Sequence, residues 1–177
     1  MYKYLQKRKA IRTYTVIIME RACIMTPEDK ERMKLSNQLC FPLYAAARRV
    51  TASYNPYLKP LGLTYTQYVV FLVLWENDGL TVGEICKRLY LDNGTLTPLL
   101  KKMEKEDYVR RERSKEDERV VTVHLTAKGK ELQEKAAEIP KLVGNCMDLP
   151  RKKKGQLYML LYELLQSYGG DVSQIDK

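Results

Sequence analysis

Residues 81–105, TVGEICKRLYLDNGTLTPLLKKMEK, predict two helices joined by a short turn. Thr81 and Glu84 fit a capping box, in which each side chain satisfies a backbone N–H of the other residue at a helix start. That helix runs to about Leu89, and Asp92 is a good N-cap for a second helix that continues to the end of the stretch. The stretch therefore predicts a helix–turn–helix.

The period of the sequence changes directly after these two helices. Tyr108 to Arg113 alternates, residues 114–118 are polar and charged, and Arg119 to Leu125 alternates again. Alternation with a period of two indicates strands, so these residues predict two antiparallel strands joined by a charged loop. A helix–turn–helix followed by a β-hairpin is a winged helix, in which the hairpin is the wing.

Helical patterns flank this lobe on both sides. Apolar residues recur at helical spacing, which predicts helices over residues 35–57, 66–76, 131–143 and 155–167, with Thr126 as a cap for the third. We therefore expect a mainly α protein with a small β-hairpin wing, built as a winged helix-turn-helix. The winged lobe is predicted to occupy residues 58–125.

The net charge of +9 is concentrated near the N-terminus. Residues 1–34 hold nine Lys or Arg residues and four Asp or Glu residues, which is more than half of the whole excess. Bulk charge is therefore weak evidence for nucleic-acid binding. Residues 1–33 are expected to be an N-terminal extension, to which the sequence assigns no role.

Composition argues against membrane and metal classes. The longest apolar run, residues 68–75, is far shorter than the roughly 20 residues that span a bilayer. Residues 16–19 are too short for the apolar region of a secretory signal, so we expect a cytoplasmic protein. The four cysteines are far apart and there is one histidine, so we expect neither a metal site, nor a cofactor, nor a disulfide framework.

The start of the second helix carries the candidate base-reading residues. In a helix–turn–helix this end enters the major groove. Asn93, Thr95 and Thr97 are small enough to approach bases, and Lys101 and Lys102 can reach phosphates one turn later. The alternative is a solvated surface helix, because winged helices also serve as protein-interaction modules. Pro98 is expected near the helix start, where the loss of its N–H costs least.

The charged loop of the hairpin allows two interpretations. Mixed charges usually mark a solvated loop. The sharper hypothesis is that Asp117 pairs with Arg119 and directs the guanidinium into a minor groove, whose negative potential favours arginine. The predicted DNA contacts are then Asp92, Asn93, Thr95, Thr97, Lys101, Lys102, Arg113, Asp117 and Arg119.

At this point the motifs resemble a known family. LDNGTLTPLLKKME at residues 91–104, followed by RSKEDER at residues 113–119, resembles MarR-type winged-helix regulators. NQLCF at residues 37–41 and LTYTQY at residues 63–68 are similar to the organic hydroperoxide resistance repressor (OhrR) branch. The resemblance covers roughly residues 34–169.

The resemblance implies a homodimeric transcriptional repressor and not an enzyme. Each protomer would read half of an inverted repeat in double-stranded operator DNA, and residues 34–57 and 126–170 would be the dimerisation helices. Asp117 and Arg119 match the DNA-contacting pair of the family's wing. Organic hydroperoxide would be the signal.

Cys40 is, by this resemblance, the peroxide-sensing thiol. Tyr54 and Tyr65 match tyrosines that hydrogen-bond the sensing sulfur across the dimer. Attack of the thiolate on a hydroperoxide gives a cysteine sulfenic acid. Cys146 is the candidate resolving thiol, and capping of the sulfur by a small cellular thiol remains the alternative. Cys86 is expected in the core, and Cys23 is given no role.

Two other functions remain open from the residues alone. A regulator of the same fold could respond to a small apolar ligand, with Cys40 structural. A thiol peroxidase is disfavoured, because no second catalytic group accompanies Cys40.

Pro42 departs from the pattern of the family, and we expect it to remove a helix hydrogen bond and shift the thiol.

Overall fold

The computed structural model describes residues 25–117, 119–144 and 147–168. The chain divides into two units, residues 1–46 and 47–177. Cys146 and most of the predicted N-terminal extension, with Cys23, lie outside the described residues. The last two residues of the segment 126–170 lie outside them as well.

In the first unit, α1 (Pro27–Arg32) and a 3-10 turn (Leu35–Asn37) precede α2 (Cys40–Ser53), which begins in this unit and whose residues 47–53 belong to the second. The side chain of Asn37 donates to the backbone oxygen of Glu31 at 2.8 Å, and that of Gln38 donates to the backbone oxygen of Arg32 at 2.6 Å. These bonds satisfy carbonyls at the end of α1. No residue of α1 or α2 is buried.

The prediction of one helix over residues 35–57 is wrong. The helical path is interrupted at residues 38–39, and α2 ends at Ser53 before the short α3 (Asn55–Leu58) begins. Pro56 explains the second break, because it has no N–H to donate to the carbonyl of Ala52 and its ring would clash with that carbonyl.

The expectation that Pro42 removes a helix hydrogen bond is also wrong. Pro42 is the third residue of α2. N–H groups in the first turn of a helix have no acceptor within it, so proline costs no intrahelical hydrogen bond there. The expectation assumed a helix that was already under way at Leu35.

The second unit contains the predicted winged helix-turn-helix. After α3, a 3-10 turn (Lys59–Leu61) leads to α4 (Tyr65–Glu76), and α5 (Val82–Leu89) and α6 (Asn93–Lys105) form the helix–turn–helix. Tyr90 ends α5 with a left-handed backbone, at φ 54°. Thr64, Thr81 and Asp92 cap α4, α5 and α6 with side-chain acceptors, as their residue types favour.

Within the described part of the chain, the sheet has three antiparallel strands. The wing is the hairpin of β2 (Val109–Arg113) and β3 (Val121–Leu125), and β1 (Leu80–Thr81) pairs with the other edge of β3. The two-residue β1 was not predicted, because it is too short to show alternation. The prediction of a mainly α winged helix with a small wing is confirmed.

One apolar core holds α4, α5, α6 and the sheet together. Its fully buried side chains come from α3, α4, α5, α6 and the sheet and include Leu58, Val70, Phe71, Leu74, Ile85, Leu96, Leu100, Met103 and Val123. Cys86 is 8% exposed and belongs to this core, as expected. The core fixes how α6 and the wing are presented at the surface.

The C-terminal part contains α7 (Ala127–Ala136), α8 (Ile139–Gly144) and α9 (Arg151–Ser167). The prediction of one helix over residues 131–143 is wrong, because the stretch is divided between α8 and the longer α7. Helix α7 begins directly after its cap, Thr126, and it ends because Pro140 cannot donate to the carbonyl of Ala136. No residue of α9 is buried, although the helix is rich in leucine.

None of the helices within the described ranges is long and apolar enough to cross a membrane.

Candidate nucleic-acid interface

The N-terminus of α6 is built by Asp92 and Thr95. The backbone N–H of Thr95 donates to one carboxylate oxygen of Asp92 at 2.8 Å, and its hydroxyl donates to the other at 2.8 Å. The hydroxyl bond, and then the backbone bond, lower the pKa of Asp92. Both side chains therefore serve first to start the helix. Their hydrogen bonds to each other limit the further hydrogen bonds that they can make with a ligand.

Asn93 is the first residue of α6 and is exposed. Its side-chain oxygen accepts a hydrogen bond from the thiol of Cys86 in α5, with an Sγ–Oδ1 distance of 3.3 Å. Thr97 lies one turn further along α6 and is half-buried.

A groove separates the start of α6 from the wing. It has a volume of about 420 Å³. Its walls come from the N-terminus of α5, from α6 and from the wing: Thr81, Val82, Gly83, Asn93, Thr97, Leu100, Arg111, Arg119, Val120 and Val121. The structure therefore brings three predicted DNA contacts, Asn93, Thr97 and Arg119, to one concave surface.

Lys101 and Lys102 follow on the next turns of α6, and both are exposed. Lys102 lies 3.8 Å from the carboxylate of Glu106, one helical turn ahead. Such exposed pairs contribute little to stability and are easily exchanged for a phosphate partner.

Pro98 does not lie where the sequence suggested. It is the sixth residue of α6, inside the helix rather than in its first turn. It therefore leaves the carbonyl of Gly94 without the usual helical N–H donor. The proline thus costs a hydrogen bond close to the groove.

Among the described residues of the wing's tip, Ser114 and Asp117 hold the loop with their side chains. The hydroxyl of Ser114 accepts from the backbone N–H groups of Glu116 and Asp117 at 3.1 and 3.3 Å. The carboxylate of Asp117 accepts from the backbone N–H of Arg119 at 2.9 Å. Asp117 and Arg119 are therefore paired, but through the backbone of Arg119 and not through its guanidinium. The side chains of Arg113 and Arg119 are exposed.

Arg111 and Glu104 connect the wing to α6, and sequence reasoning missed this pair. The guanidinium of Arg111 lies 2.6 Å from the carboxylate of Glu104, in the last turns of α6. The bond from the Arg111 side chain is the main cause that lowers the pKa of Glu104. The sequence does contain a signal for such a pair. Arg111 falls on the same strand face as the buried Val109, and an arginine on a buried face needs a charged or polar partner.

The predicted sensor residues are Cys40, Tyr54 and Tyr65. Cys40 is exposed and is the first residue of α2, in the first unit. In the second unit the rings of Tyr54 and Tyr65 meet edge to face, with centroids 4.9 Å apart. Burial, and then the neighbouring Tyr54, raise the pKa of Tyr65, so its hydroxyl stays protonated and able to donate.

Sequence comparison places these features in a family. A family profile described as "Transcriptional regulator SarA/Rot" matches residues 52–136. An organic hydroperoxide resistance transcriptional regulator of Bacillus subtilis (strain 168) is 47% identical over 137 residues, which cover 77% of this chain and 93% of that protein. The chain belongs to the organic hydroperoxide resistance regulators, within the MarR-type winged-helix family. As a member of this family it is a DNA-binding transcriptional regulator and not an enzyme.

Solved structures of a protein named AbfR are also similar to this chain. A structure of reduced AbfR bound to DNA has a TM-score of 0.65 and 36% identity, and covers 81% of this chain and 99% of that chain. A structure of disulfide-formed AbfR has a TM-score of 0.54 and 36% identity, and covers 78% of this chain and 97% of that chain. AbfR is a protein of Staphylococcus epidermidis.

Proposed function

We propose that this chain is a redox-sensing repressor that binds inverted-repeat operator DNA as a homodimer. Organic hydroperoxide would oxidise Cys40 and release the dimer from DNA. One observation carries this proposal: a lobe with a groove between α6 and the wing occurs in the same chain as an exposed cysteine at the start of a helix. A regulator that reads chromosomal operators would work in the cytoplasm.

In the proposed complex, α6 is the recognition helix. Its N-terminus, with Asn93 and Thr97, enters the major groove, and Lys101 and Lys102 contact phosphates. The exposed guanidinium of Arg119 enters the adjacent minor groove, where the negative potential is strongest. Asp117 supports this placement, because its bond to the backbone of Arg119 leaves the guanidinium available for DNA.

The dimer would be formed by the N- and C-terminal helices, over residues 34–57 and 126–170, with residues 58–125 as the DNA-reading lobe. Leu157, Leu160 and Leu164 support this assignment, because their spacing puts them on one face of α9 and all three are exposed. A stripe of exposed leucines on a helix is typical of a surface that pairs with a partner.

The redox step would take place at Cys40. The thiolate attacks one oxygen of the hydroperoxide, the O–O bond breaks, the peroxide is reduced to an alcohol, and the sulfur becomes a sulfenic acid. Tyr54 and Tyr65 would donate hydrogen bonds to the sulfur across the dimer. A second thiol, Cys146 or a small cellular thiol, would then condense with the sulfenic acid to form a disulfide and release water.

Two facts support a thiol switch. Reactive cysteines are typically exposed and often stand at helix N-termini, where the helix dipole favours an anion, and Cys40 fits both conditions. The related AbfR has been solved in a reduced DNA-bound form and in a disulfide form.

The test is operator binding by the wild type, Cys40→Ser and the control Cys23→Ser, with and without stoichiometric cumene hydroperoxide. The operator is DNA that the wild type selects from a random library. We expect peroxide to release the wild type and Cys23→Ser but not Cys40→Ser. Release of all three, or of none, would show that this thiol is not the switch, and a small apolar ligand would become the leading signal. A Cys146→Ser variant then separates an internal disulfide from capping by a small thiol.

A further inference from the structure

The contact between Cys86 and Asn93 joins the two helices of the helix–turn–helix. The thiol of Cys86, in α5, donates to the side-chain oxygen of Asn93, the first residue of α6, across 3.3 Å. Cys86 is 8% exposed, whereas Asn93 is exposed. A buried side chain therefore holds one end of an exposed amide in a fixed direction.

The thiol can act as a stable donor. Burial, and then the charge of Asp92, raise the pKa of Cys86, so the S–H group stays protonated at neutral pH. A protonated thiol is a weak donor. Here it is directed at an amide oxygen at the rim of the groove that separates α6 from the wing.

We propose that Cys86 determines base specificity by orienting Asn93, so that Asn93 offers DNA its two amide N–H donors and not its oxygen. This inference rests on the proposed entry of α6 into the major groove. Cys86 would be a positioning residue, because it acts through Asn93 and does not touch DNA itself.

The orientation of the amide decides which base Asn93 can read. An asparagine that uses both its oxygen and its nitrogen pairs with N6 and N7 of adenine. With the oxygen turned inward to Cys86, only donors face the base, and donors require acceptors. Guanine presents two adjacent acceptors in the major groove, O6 and N7, whereas adenine presents one acceptor beside a donor. Asn93 is therefore expected to select guanine.

Conservative variants separate this role from simple packing. Cys86→Ser keeps a donor at nearly the same place, whereas Cys86→Ala removes the donor with a small change in volume. Either change can alter stability. The decisive readout is therefore the ratio of affinities for two operators that differ at one base pair, which a purely structural role would leave unchanged.

The experiment uses the full chain and the operator that the wild type selects. The base pair read by Asn93 is first located as the one whose substitution affects the wild type but not Asn93→Ala. Affinities of the wild type, Cys86→Ser and Cys86→Ala are then measured for guanine, adenine and 7-deazaguanine at that position. We expect the wild type and Cys86→Ser to prefer guanine over adenine by about tenfold and to lose affinity with 7-deazaguanine. Cys86→Ala should bind the guanine and adenine operators within about threefold of each other.

Three outcomes would overturn the inference: a wild type that prefers adenine, a Cys86→Ala variant with the wild-type ratio, or an Asn93→Ala variant with unchanged preference at every position. The first two leave the proposed function intact. If the third occurs while Arg119→Ala still weakens binding, α6 does not read DNA through Asn93. If the wild type selects no DNA at all, the proposed function itself fails.

Discussion

Glu104 and Arg111 are joined by three hydrogen bonds that link α6 to the first strand of the wing. The guanidinium donates to one oxygen of the carboxylate at 2.9 and 2.6 Å, and the backbone N–H of Arg111 donates to the other at 3.0 Å. Both side chains are partly buried. Because one carboxylate binds both the backbone and the side chain of the strand, the helix and the wing are held in one relative orientation.

This pair leads to a prediction about stability and pH. We expect Glu104→Gln to lower the free energy of unfolding by about 1 kcal/mol at pH 7. The pKa of Glu104 is lowered in the folded protein, so its contribution is complete above the unfolded-state pKa of about 4.3 and is lost as the pH falls through the folded-state value. Urea unfolding of the wild type and the variant should therefore differ at pH 7 and converge in acid.

Glu112→Gln is the matched control. Glu112 pairs with Arg110 at 2.9 Å on the same wing, but both side chains are at least half exposed, so the pair should contribute little. A Glu104→Gln variant as stable as the Glu112→Gln variant at pH 7 would mean that the α6–wing link does not stabilise the lobe.

Arg119 is predicted to contact DNA from the tip of the wing and to contribute to operator affinity. Replacing it with alanine removes one positive charge of the protein that would neutralise a DNA phosphate. Operator binding should therefore weaken, and the slope of the logarithm of the binding constant against the logarithm of the salt concentration should fall in magnitude by about one. Titrations of operator DNA at several salt concentrations measure both. Lys141→Ala removes the same charge from α8, where Lys141 pairs with Glu138, and should change neither. Equal slopes for the wild type and Arg119→Ala would remove the wing tip from the interface.

Gly129 is predicted to tolerate no side chain. It is buried in α7, and a Cβ atom there would lie 2.2 Å from the backbone oxygen of Tyr108. Its own carbonyl accepts a hydrogen bond from the indole of Trp75 at 3.0 Å, so the backbone is held in place. Gly129→Ala should therefore lower the free energy of unfolding by about 3 kcal/mol, measured by chemical denaturation.

Gly83→Ala is the control for that change, because a Cβ at Gly83, in α5, meets nothing within 4 Å. It should leave stability unchanged or raise it by up to about 1 kcal/mol. Similar losses for both variants would show that the close approach of α7 to Tyr108 is relaxed in solution.

The sequence predicted the parts of the fold that depend on local signals. Thr81 with Glu84, and Asp92 with Thr95, form caps within four residues of each other, so their pattern is visible in the chain. The helix breaks were missed although the signal was present. Pro56 and Pro140 each remove a bond to the carbonyl four residues earlier, and the preceding helices end at Ser53 and Ala136, within one residue of those carbonyls.

The candidate site was only partly predictable, because its supporting contacts join distant elements. Asn93 was named from its position at a helix start, but the thiol that orients it belongs to the preceding helix, and that contact depends on how the two helices cross. Arg111 falls in the stretch that alternation predicts as a strand, and no local pattern identifies its partner. Its partner, Glu104, becomes apparent only once the register of the hairpin and the end of α6 are known together.

Tyr54 and Tyr65 are predicted to affect the rate of the peroxide response and not DNA binding. A phenol bond to the reacting sulfur contributes about 1.5 kcal/mol, so Tyr54→Phe or Tyr65→Phe should slow oxidation of Cys40 by about tenfold. Stopped-flow oxidation with cumene hydroperoxide gives the rate, and operator affinity of the reduced variants is measured in parallel. Tyr57→Phe, a half-buried tyrosine of α3, is the control. Equal oxidation rates in all three variants would limit Tyr54 and Tyr65 to packing.

Leu160 is predicted to hold the dimer together. It is 61% exposed on α9, so a charge there costs an isolated chain little, but it would be buried against the second copy in the proposed dimer. Leu160→Glu should therefore shift the protein from dimer to monomer in sedimentation, with an unchanged helical circular dichroism spectrum. Operator affinity should fall by 100-fold or more, about the gain expected when two half-site readers are linked.

Gln166→Glu places the same charge at an exposed position on a different face of α9 and should remain dimeric. If Leu160→Glu also remains dimeric, the leucine stripe of α9 is not the interface, and the second copy must pair through another surface. If it becomes monomeric but keeps its operator affinity, one lobe is sufficient for binding and the inverted-repeat operator is wrong. Only the joint loss of dimer and affinity supports a repressor that reads two half-sites at once.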